Sequence, residues 1–524
     1  MITEIDMVLS PKEASDEKYY KPILAQKLKM NPDKITGIQI LRKSIDARRR
    51  NVKINLRFRI AVNEPLQKED KQEFNYSDVS AQKRVIVIGA GPAGLFAALR
   101  LIELGYKPIV LERGKCVEDR KKDLGILYKT RKVNVDSNFA FGEGGAGTFS
   151  DGKLYTRSKK RGNLKRILQI LHHHGAQNEI LYDAHPHIGT DVLPKVIMQI
   201  RKTILQSGGE VHFSAKVKDL IIKNNRVVGV CMQDGLERHG EAVILATGHS
   251  ARDVYRNLNN SGVELEAKSF AMGVRIEHPQ KLIDQIQYHN PQGRGSYLPA
   301  ASYSFVQQVE GRGVYSFCMC PGGVIVPAAT NDNQQVVNGM SASNRNTAFA
   351  NSGMAVEIRV EDLKAYAGYG VFAGLKFQEE LEEIAFNEGG RNLTAPAQRM
   401  LDFVKEQKSE SLPKTSYRPG VISSPMHQWL PELIRFRLQE GFRIFGQKSK
   451  GFLTNDALIL GIESRTSSPV RIPRDPDTLQ HIRIEGLFPC GEGAGYAGGI
   501  VSAAMDGELS AEAVNRYKNQ FGMK

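Results

Sequence analysis

The stretch from Lys83 to Glu112 leaves the chain few choices of fold. Lys83-Arg-Val-Ile-Val-Ile-Gly89 has the β-branched composition of a short strand, and Gly89, Gly91 and Gly94 give the spacing G-x-G-x-x-G. Leu95 to Leu104 then has the composition of a helix, and Lys107-Pro-Ile-Val-Leu-Glu112 is a second strand ending in an acid 18 residues beyond Gly94. That order predicts a βαβ unit that receives a dinucleotide. Gly89 permits the tight turn, Gly91 lets backbone approach a pyrophosphate, and Gly94 allows close helix packing. The helix N-terminus offers N–H groups and a positive dipole end to the phosphates. A carboxylate at Glu112 can accept hydrogen bonds from a ribose.

Two further stretches share the spacing and lack the context. Gly142, Gly144 and Gly147 are followed by Thr148-Phe-Ser-Asp-Gly152, which continues as a loop. Gly493, Gly495 and Gly498 precede a helical stretch, Val501 to Tyr517, with no returning strand and no ribose-binding acid. One dinucleotide site is therefore expected.

The 524 residues, 41% of them hydrophobic, suffice for two or three domains of a globular enzyme. No run of about 18 apolar residues occurs, so no membrane span is expected. Met1-Ile-Thr-Glu-Ile-Asp6 has neither the basic start nor the apolar stretch of a signal peptide, and a cytoplasmic location follows as the expectation. Five cysteines, at 116, 231, 318, 320 and 490, are too few and scattered for a disulfide framework. Cys318-Met-Cys320 invites a redox reading, but Tyr315 to Cys320 reads as a strand. In an extended strand alternate residues share a face without the geometry an unstrained disulfide prefers, so buried structural cysteines are expected. Without C-x-x-C or C-x-x-x-x-C, the dithiol chemistry of disulfide reductases has no candidate.

The net charge of +15 points to nucleic acid, membrane surface or an anionic ligand. Basic residues cluster at Arg48 to Arg50, at Lys121 and Lys122, and from Arg157 to Arg161 through Lys165 and Arg166. They carry little aromatic interleaving and match no nucleic-acid module, which favours a solvated surface that attracts an anionic cofactor. An RNA partner stays open.

Residues 1–64 read as a small α+β domain: strand Ile2 to Leu9, helix Tyr19 to Lys29, and strands Ile35 to Ser44 and Asn51 to Val62. The last alternates as Val52, Ile54, Leu56, Phe58 and Ile60, and a ferredoxin-like arrangement is expected. The polar stretch 65–82 reads as a linker. Further on, Gly208 to Val217, Asp219 to Val230 and Glu241 to Gly248 form a strand, a hairpin and a strand ending in an Ala-Thr-Gly turn. Gly486 to Gly507 is a strand, a glycine-rich loop and a helix start, a place where backbone N–H groups and a positive helix end can meet an anionic ligand.

Taken together, Gly89-x-Gly91-x-x-Gly94, Glu112-Arg113, Gly144 to Leu154, Ala246-Thr-Gly248, and Gly491-Glu492 followed by Gly498-Gly-Ile500 resemble the FAD-dependent oxidoreductases of the glutathione-reductase-like FAD/NAD(P) superfamily. Arg42 to Arg48 and Glu463 to Pro469 are similar, more narrowly, to a bacterial group labelled only as FAD-dependent dehydrogenases. The resemblance implies FAD as cofactor. Gly89, Gly91 and Gly94 would take its pyrophosphate, Glu112 the adenosine ribose, Arg113 the adenine edge or phosphate, and Val217 the adenine through its backbone. Gly145, Gly147 and Thr148 would lie near the flavin ring or ribityl chain, with Thr247 and Gly248 on the cofactor side. Gly491 and Glu492 stand where many relatives have Gly-Asp. Gly498, Gly499 and Ile500 would lie beside the flavin pyrimidine edge, where a helix end stabilises the reduced, anionic flavin.

The expected fold class is α/β: a Rossmann-type FAD-binding domain in two parts, 83–250 and 453–524, with an inserted β-rich α+β substrate domain at 251–452. Strands are expected at Phe270 to Glu277, Tyr303 to Gln308 and Gly313 to Cys318, and helix from Leu375. The function this implies is hydride exchange between flavin N5 and a small-molecule substrate, with NAD(P)H visiting as electron donor without a second Rossmann unit. No catalytic residue is assigned. Candidate proton donors and anion binders are Lys153, Arg275, His427 and Arg465, whose structural alternatives are loop surface, a strand-face ion pair, a satisfied helix-start residue and a clamp. His172 to His174 reads as a helix end, because consecutive helical positions point about 100° apart and gather metal ligands poorly. An RNA-modifying or RNA-binding flavoprotein and a non-catalytic flavin-binding sensor remain as alternatives.

Overall fold

The structure, a computed structural model, describes residues 1–66, 73–155 and 162–521. A five-stranded parallel sheet runs in the order Leu487–Pro489, Val243–Leu245, Arg84–Ile88, Lys107–Leu111, Glu210–His212. Its central strands are continuous apolar runs because both faces are covered. The helices Pro92–Glu103 and Ile500–Phe521 pack against each other on one face. They approach closely at Gly507, where an added Cβ would stand 2.1 Å from the Ala93 carbonyl oxygen. The Gly486 stretch thus returns as an edge strand of this sheet, 241 residues after its neighbour Leu245 began the departure if counted to Gly486.

Between those strands the chain builds a seven-stranded sheet in the order Val306–Val309, Arg312–Cys320, Phe349–Ile358, Phe270–Pro279, Leu458–Glu463, Ala395–Arg399, Val421–Ser423. The helix Glu432–Lys448 packs on it through Phe442 and Phe445, within a core that also holds Phe403 and Phe452. After the strand Phe349–Ile358 a 3-10 helix, Val360–Phe372, leads into the α-helix Ala373–Glu388, which begins two residues before the expected start. Tyr303 to Phe305 lies outside the strand that begins at Val306. The strand Leu458–Glu463 corrects the expected boundary at 452: it pairs with both Phe270–Pro279 and Ala395–Arg399, so the large sheet extends past that point.

The N-terminal residues form a three-stranded antiparallel sheet with Lys53–Val62 between Ile2–Leu9 and Ile35–Asp46. Ile54, Leu56, Phe58 and Ile60 are all buried beneath the helix Glu17–Lys27, as their alternation requires. That helix starts two residues before the expected Tyr19 because the Asp16 side chain accepts from the Lys18 N–H at its N-terminus. Three strands and one α-helix fall short of the ferredoxin-like arrangement. Part of the expected linker lies outside the described residues, as does the basic run 157–161. From Phe74 onward the segment is pinned to the parallel-sheet side: Arg166 lies 5.3 Å over the Phe74 ring, and the buried Val79 donates its N–H to the Ser207 carbonyl.

Candidate active site

The turn after the strand Arg84–Ile88 is as tight as its sequence requires. Gly89 has φ +102°, and a Cβ there would lie 2.5 Å from the Ala246 carbonyl oxygen. At Gly91 the reverse holds: an added Cβ would meet no atom within 4 Å, so the backbone faces open space. Gly91 stands at the N-cap of the helix Pro92–Glu103, with proline at its first position and no side-chain cap. The helix's positive end is thereby left for an anion.

A cavity of about 1170 Å³ opens in front of this turn. That exceeds the range of about 300–1,000 Å³ common for single small-ligand sites and leaves room for a dinucleotide and a second molecule. Gly89, Gly91, Glu112, Arg113, Gly145, Gly147, Val217, Thr247, Gly248, Glu492, Gly498, Gly499 and Ile500 line it. At Gly248, Gly498 and Gly499, as at Gly91, an added Cβ would meet nothing within 4 Å. Bare backbone therefore faces the cavity at four places, which is the lining a closely held phosphate and ring system needs. The residues fit the cofactor that the sequence implies.

Three expected site residues do not line the cavity. Gly94 lies beneath the turn, where an added Cβ would stand 1.9 Å from the Gly89 carbonyl oxygen. Gly491 lies behind the wall and donates its N–H to Asp506 Oδ2 at 2.7 Å. Thr148 lies between Gly147 and Ser150, which do line the cavity. It is fully buried and donates its hydroxyl to the Glu143 carbonyl at 2.8 Å, so the side chain turns away from the cavity.

Glu112 is also a brace. Its carboxylate accepts from the N–H groups of Ala90 at 2.9 Å, Gly114 at 2.9 Å and Gly142 at 3.0 Å, joining three loops. About four acceptor positions are available on a carboxylate, so one is left for a ribose hydroxyl. Arg113 lines the cavity and is braced by the protein. It forms a two-point ion pair with Asp253, a further bond to Asp136 at 3.2 Å, and lies 4.5 Å over the Phe141 ring. Three of its five N–H donors hold the wall. Arg120, which carries no sequence signature, is wholly buried and donates to the carbonyls of Asn138, Phe139, Glu143 and Gly145 at 2.8–3.0 Å. Burial pulls its guanidinium down to about 10. It fixes the loop that brings Gly145 and Gly147 to the cavity.

The opposite wall comes from the large sheet, through Tyr315, Phe317 and Cys318, and from its loops, through Arg345 before the strand Phe349–Ile358 and Arg465 after Leu458–Glu463. Lys153, from the parallel-sheet side, crosses to it: its Nζ lies 3.8 Å from the Sγ atoms of both Cys318 and Cys320 and 3.8 Å from Asp151 Oδ2. Asp151 is buried and holds Arg345 at 2.6 Å. Burial pushes the Asp151 carboxyl up, but Lys153 and Arg345 outweigh it and the net direction is down. For Lys153, burial pulls down and the neighbouring sulfurs and Asp151 raise it overall. Lys153 is thus part of the cavity and not loop surface.

Arg275 is the strand-face ion pair that its alternative reading describes, fully buried against Glu463 at 2.9 Å. His427, at the start of the short helix Met426–Trp429, shares a hydrogen bond of 2.8 Å with Gln398 and lies outside the cavity lining. Arg465 is wall and clamp together, bonded to Thr330 at 2.9 Å and paired with Glu382 at 3.3 Å. His249, not singled out by the sequence, lines the cavity directly after the Ala246-Thr-Gly248 turn; its Nε2 is 3.1 Å from the Arg465 carbonyl and its Nδ1 3.5 Å from Glu492. His172 to His174 closes the helix Leu164–His173, as expected.

Residues 84–118 match a family described as an FAD binding domain, and residues 269–466 match "FAD-dependent protein, C-terminal domain-like". Residues 1–61 match a domain of unknown function. An uncharacterized protein of Clostridium beijerinckii is 41% identical over 511 residues, covering 93% of this chain and 94% of its own. A thiamine thiazole synthase of Aeropyrum pernix is 28% identical over 216 residues, which is 38% of this chain and 67% of that protein. Among solved structures, a geranylgeranyl bacteriochlorophyll reductase-like protein of Thermoplasma acidophilum is 12% identical, with a TM-score of 0.35 over 84% of this chain and 79% of its own. The chain carries an FAD-binding domain and is a flavoprotein.

Proposed function

This chain belongs to one family with its Clostridium beijerinckii relative, and on that premise we propose that it is an FAD-dependent oxidoreductase acting on a small molecule by hydride exchange. The observation that carries the reading is the continuity of one cavity: glycine-lined backbone on one side, and Lys153, Arg345, Arg465 and aromatic side chains on the other. When bound, the flavin supplies two-electron exchange at its N5. In this reading Gly89, Gly91 and the uncapped helix end hold the pyrophosphate, with Gly94 permitting the approach, and Glu112 takes the ribose. Gly145, Gly147, Gly498, Gly499 and Ile500 border the ring. Residues 83–250 and the chain after the large sheet form the cofactor side, and the large sheet forms an inserted substrate domain.

Lys153 and Arg345, both beside the Asp151 carboxylate, put N–H donors on the substrate side, which suits a carbonyl-bearing substrate. Tyr315 and Phe317 supply apolar area that excludes water from the reacting face. Nicotinamide nucleotide is taken as the donor that enters the same cavity.

The test is the visible absorption spectrum of the purified protein, recorded without oxygen before and after adding NADH or NADPH. Flavin bands that bleach support the reading with nicotinamide as donor. Flavin bands that persist remove nicotinamide and leave the substrate as reductant. A colourless protein that takes up no added FAD overturns the proposal.

A further inference from the structure

A regular strand sets alternate Cα atoms about 6.6–6.8 Å apart, at the outer limit for a disulfide. The strand Arg312–Cys320 is not regular at its end. Between the pairs Phe317–Gly353 and Cys320–Asn351 it carries one residue more than its partner, and Cys318 takes φ +47°. A left-handed conformation is unusual for a residue other than glycine, and a bulge of this kind shortens the strand and re-aims its side chains. Here both cysteines turn toward one cation, with Lys153 Nζ 3.8 Å from each Sγ. Arg275 closes the far side, with Nη2 donating to the Cys318 carbonyl at 2.8 Å and lying 3.6 Å from Cys320 Sγ. The two thiols are unequal in access: Cys318 is half-buried and lines the cavity, while Cys320 is fully buried behind it.

We propose that Cys318 and Cys320 are a redox-active dithiol that interconverts with a Cys318–Cys320 disulfide and exchanges its two electrons with the flavin of the same cavity. The proposal rests on the FAD reading above. The pair's ionisation is split in the sense this chemistry needs. The bond from the Cys320 thiol, then Lys153 and Arg275, hold the Cys318 thiol well below its usual range, and the same bond together with burial raises Cys320. In the oxidising direction Cys318 as thiolate and Cys320 as thiol join in one S–S bond. The two electrons released and the Cys320 proton pass to the oxidised flavin, and the reverse transfer restores thiolate and thiol. Cys318 is the accessible sulfur and Cys320 the resolving one, while Lys153 holds the negative charge in the reduced state.

Both cysteines fall in one tryptic peptide, residues 313–345, which holds no other cysteine. The holoprotein is reduced with dithiothreitol, or equilibrated in an oxidising dithiothreitol buffer, alkylated under denaturing conditions and digested. The expected result is a reduced sample alkylated at both positions and an oxidised sample whose peptide is unalkylated and lighter by two hydrogens. Anaerobic dithionite titration of the oxidised holoprotein should consume twice the electrons of its flavin alone, falling to the flavin's own demand in Cys320→Ser. Flavin content is measured separately from released FAD. A protein with full flavin whose peptide is alkylated at both positions after every oxidising buffer overturns the proposal. So does a disulfide that forms while flavin remains oxidised and the titration matches Cys320→Ser. Absent flavin overturns the FAD reading instead, and the peptide masses still decide whether the dithiol exists. Should Cys320→Ser not fold, the wild-type titration is compared with the demand calculated from its released FAD, and a demand no greater than that flavin's own overturns the proposal.

Discussion

Gly94 packs so closely on Gly89 that a Cβ built on Gly94 would lie 1.9 Å from the Gly89 carbonyl oxygen. The neighbouring glycine differs in kind: Gly91 has φ −75° and open space where a side chain would go. Gly94→Ala is therefore expected to cost about 3 kcal/mol or more of stability, since the clash is with backbone that cannot repack. Gly91→Ala should stay within about 1 kcal/mol of wild type and lose at least about tenfold in FAD affinity. Thermal melts and FAD titration separate the two, and a Gly94→Ala protein as stable as wild type would sink the argument.

Glu382 anchors two guanidiniums on the substrate side, Arg252 at 2.7 Å and Arg465 at 3.3 Å. Burial pushes its carboxyl up, yet the two arginines outweigh that and hold it at about 2. A lowered folded value contributes stability that is present above the unfolded value of 4.5 and is lost as pH falls toward 2, here about 3 kcal/mol. Glu382→Gln should flatten that acid limb in urea melts between these pH values. It should also destabilise the neutral-pH protein by about 3 kcal/mol, because Arg252 and Arg465 lose their shared buried carboxylate and only Glu379, 3.8 Å from Arg252, remains as a counter-charge. An unchanged acid limb would remove Glu382 from the account.

What the sequence made legible is what local geometry dictates through residue type. The three fingerprint glycines could be read because turn, approach and packing each exclude a side chain at a fixed offset. Arg120 could not, because its partners are backbone carbonyls, and any residue can supply those. Thr148 was placed by its neighbours Gly145 and Gly147, but a hydroxyl in a 3-10 turn can bond backwards, and this one does. The bulge at Cys318 depends on pairing with Gly353 and Asn351, which lie more than thirty residues on, so the segment reads as an ordinary strand. The same distance hides the Asp151–Arg345 pair, whose members are 194 residues apart.

That pair joins the loop after Gly147 to the large sheet, with Arg345 Nε 3.1 Å and Nη2 2.6 Å from the two Asp151 oxygens. Asp151 is 1% exposed and Arg345 14%. A two-point pair this sheltered should show coupling of about 1–3 kcal/mol in a double-mutant cycle of Asp151→Asn and Arg345→Met, measured by urea melts. Asp151→Asn alone should also loosen Lys153, whose remaining neighbours are the two sulfurs. Additive effects in the cycle would mean that solvent screens the pair and that the two walls of the cavity are held by other contacts.

Glu463 and Arg275 form the most deeply buried ion pair on the cavity's substrate side, and the direction of the Glu463 shift decides what the pair contributes. Burial raises the Glu463 carboxyl, Arg275 lowers it by less, and the net value is about 7. The folded protein therefore keeps a proton that the unfolded chain releases near 4.5. With a raised folded value, the contribution to stability is fully present below 4.5 and is lost as pH rises through 7, about 3 kcal/mol in all. Glu463→Gln imitates the protonated acid and cannot ionise. It should be close to wild type at pH 5 and more stable than wild type at pH 8, because the charged pair costs more in desolvation than it returns in attraction. Urea melts of both proteins across that range test the sign. A variant destabilised equally at both pH values would show that the ion pair is net favourable and that Glu463 is ionised throughout.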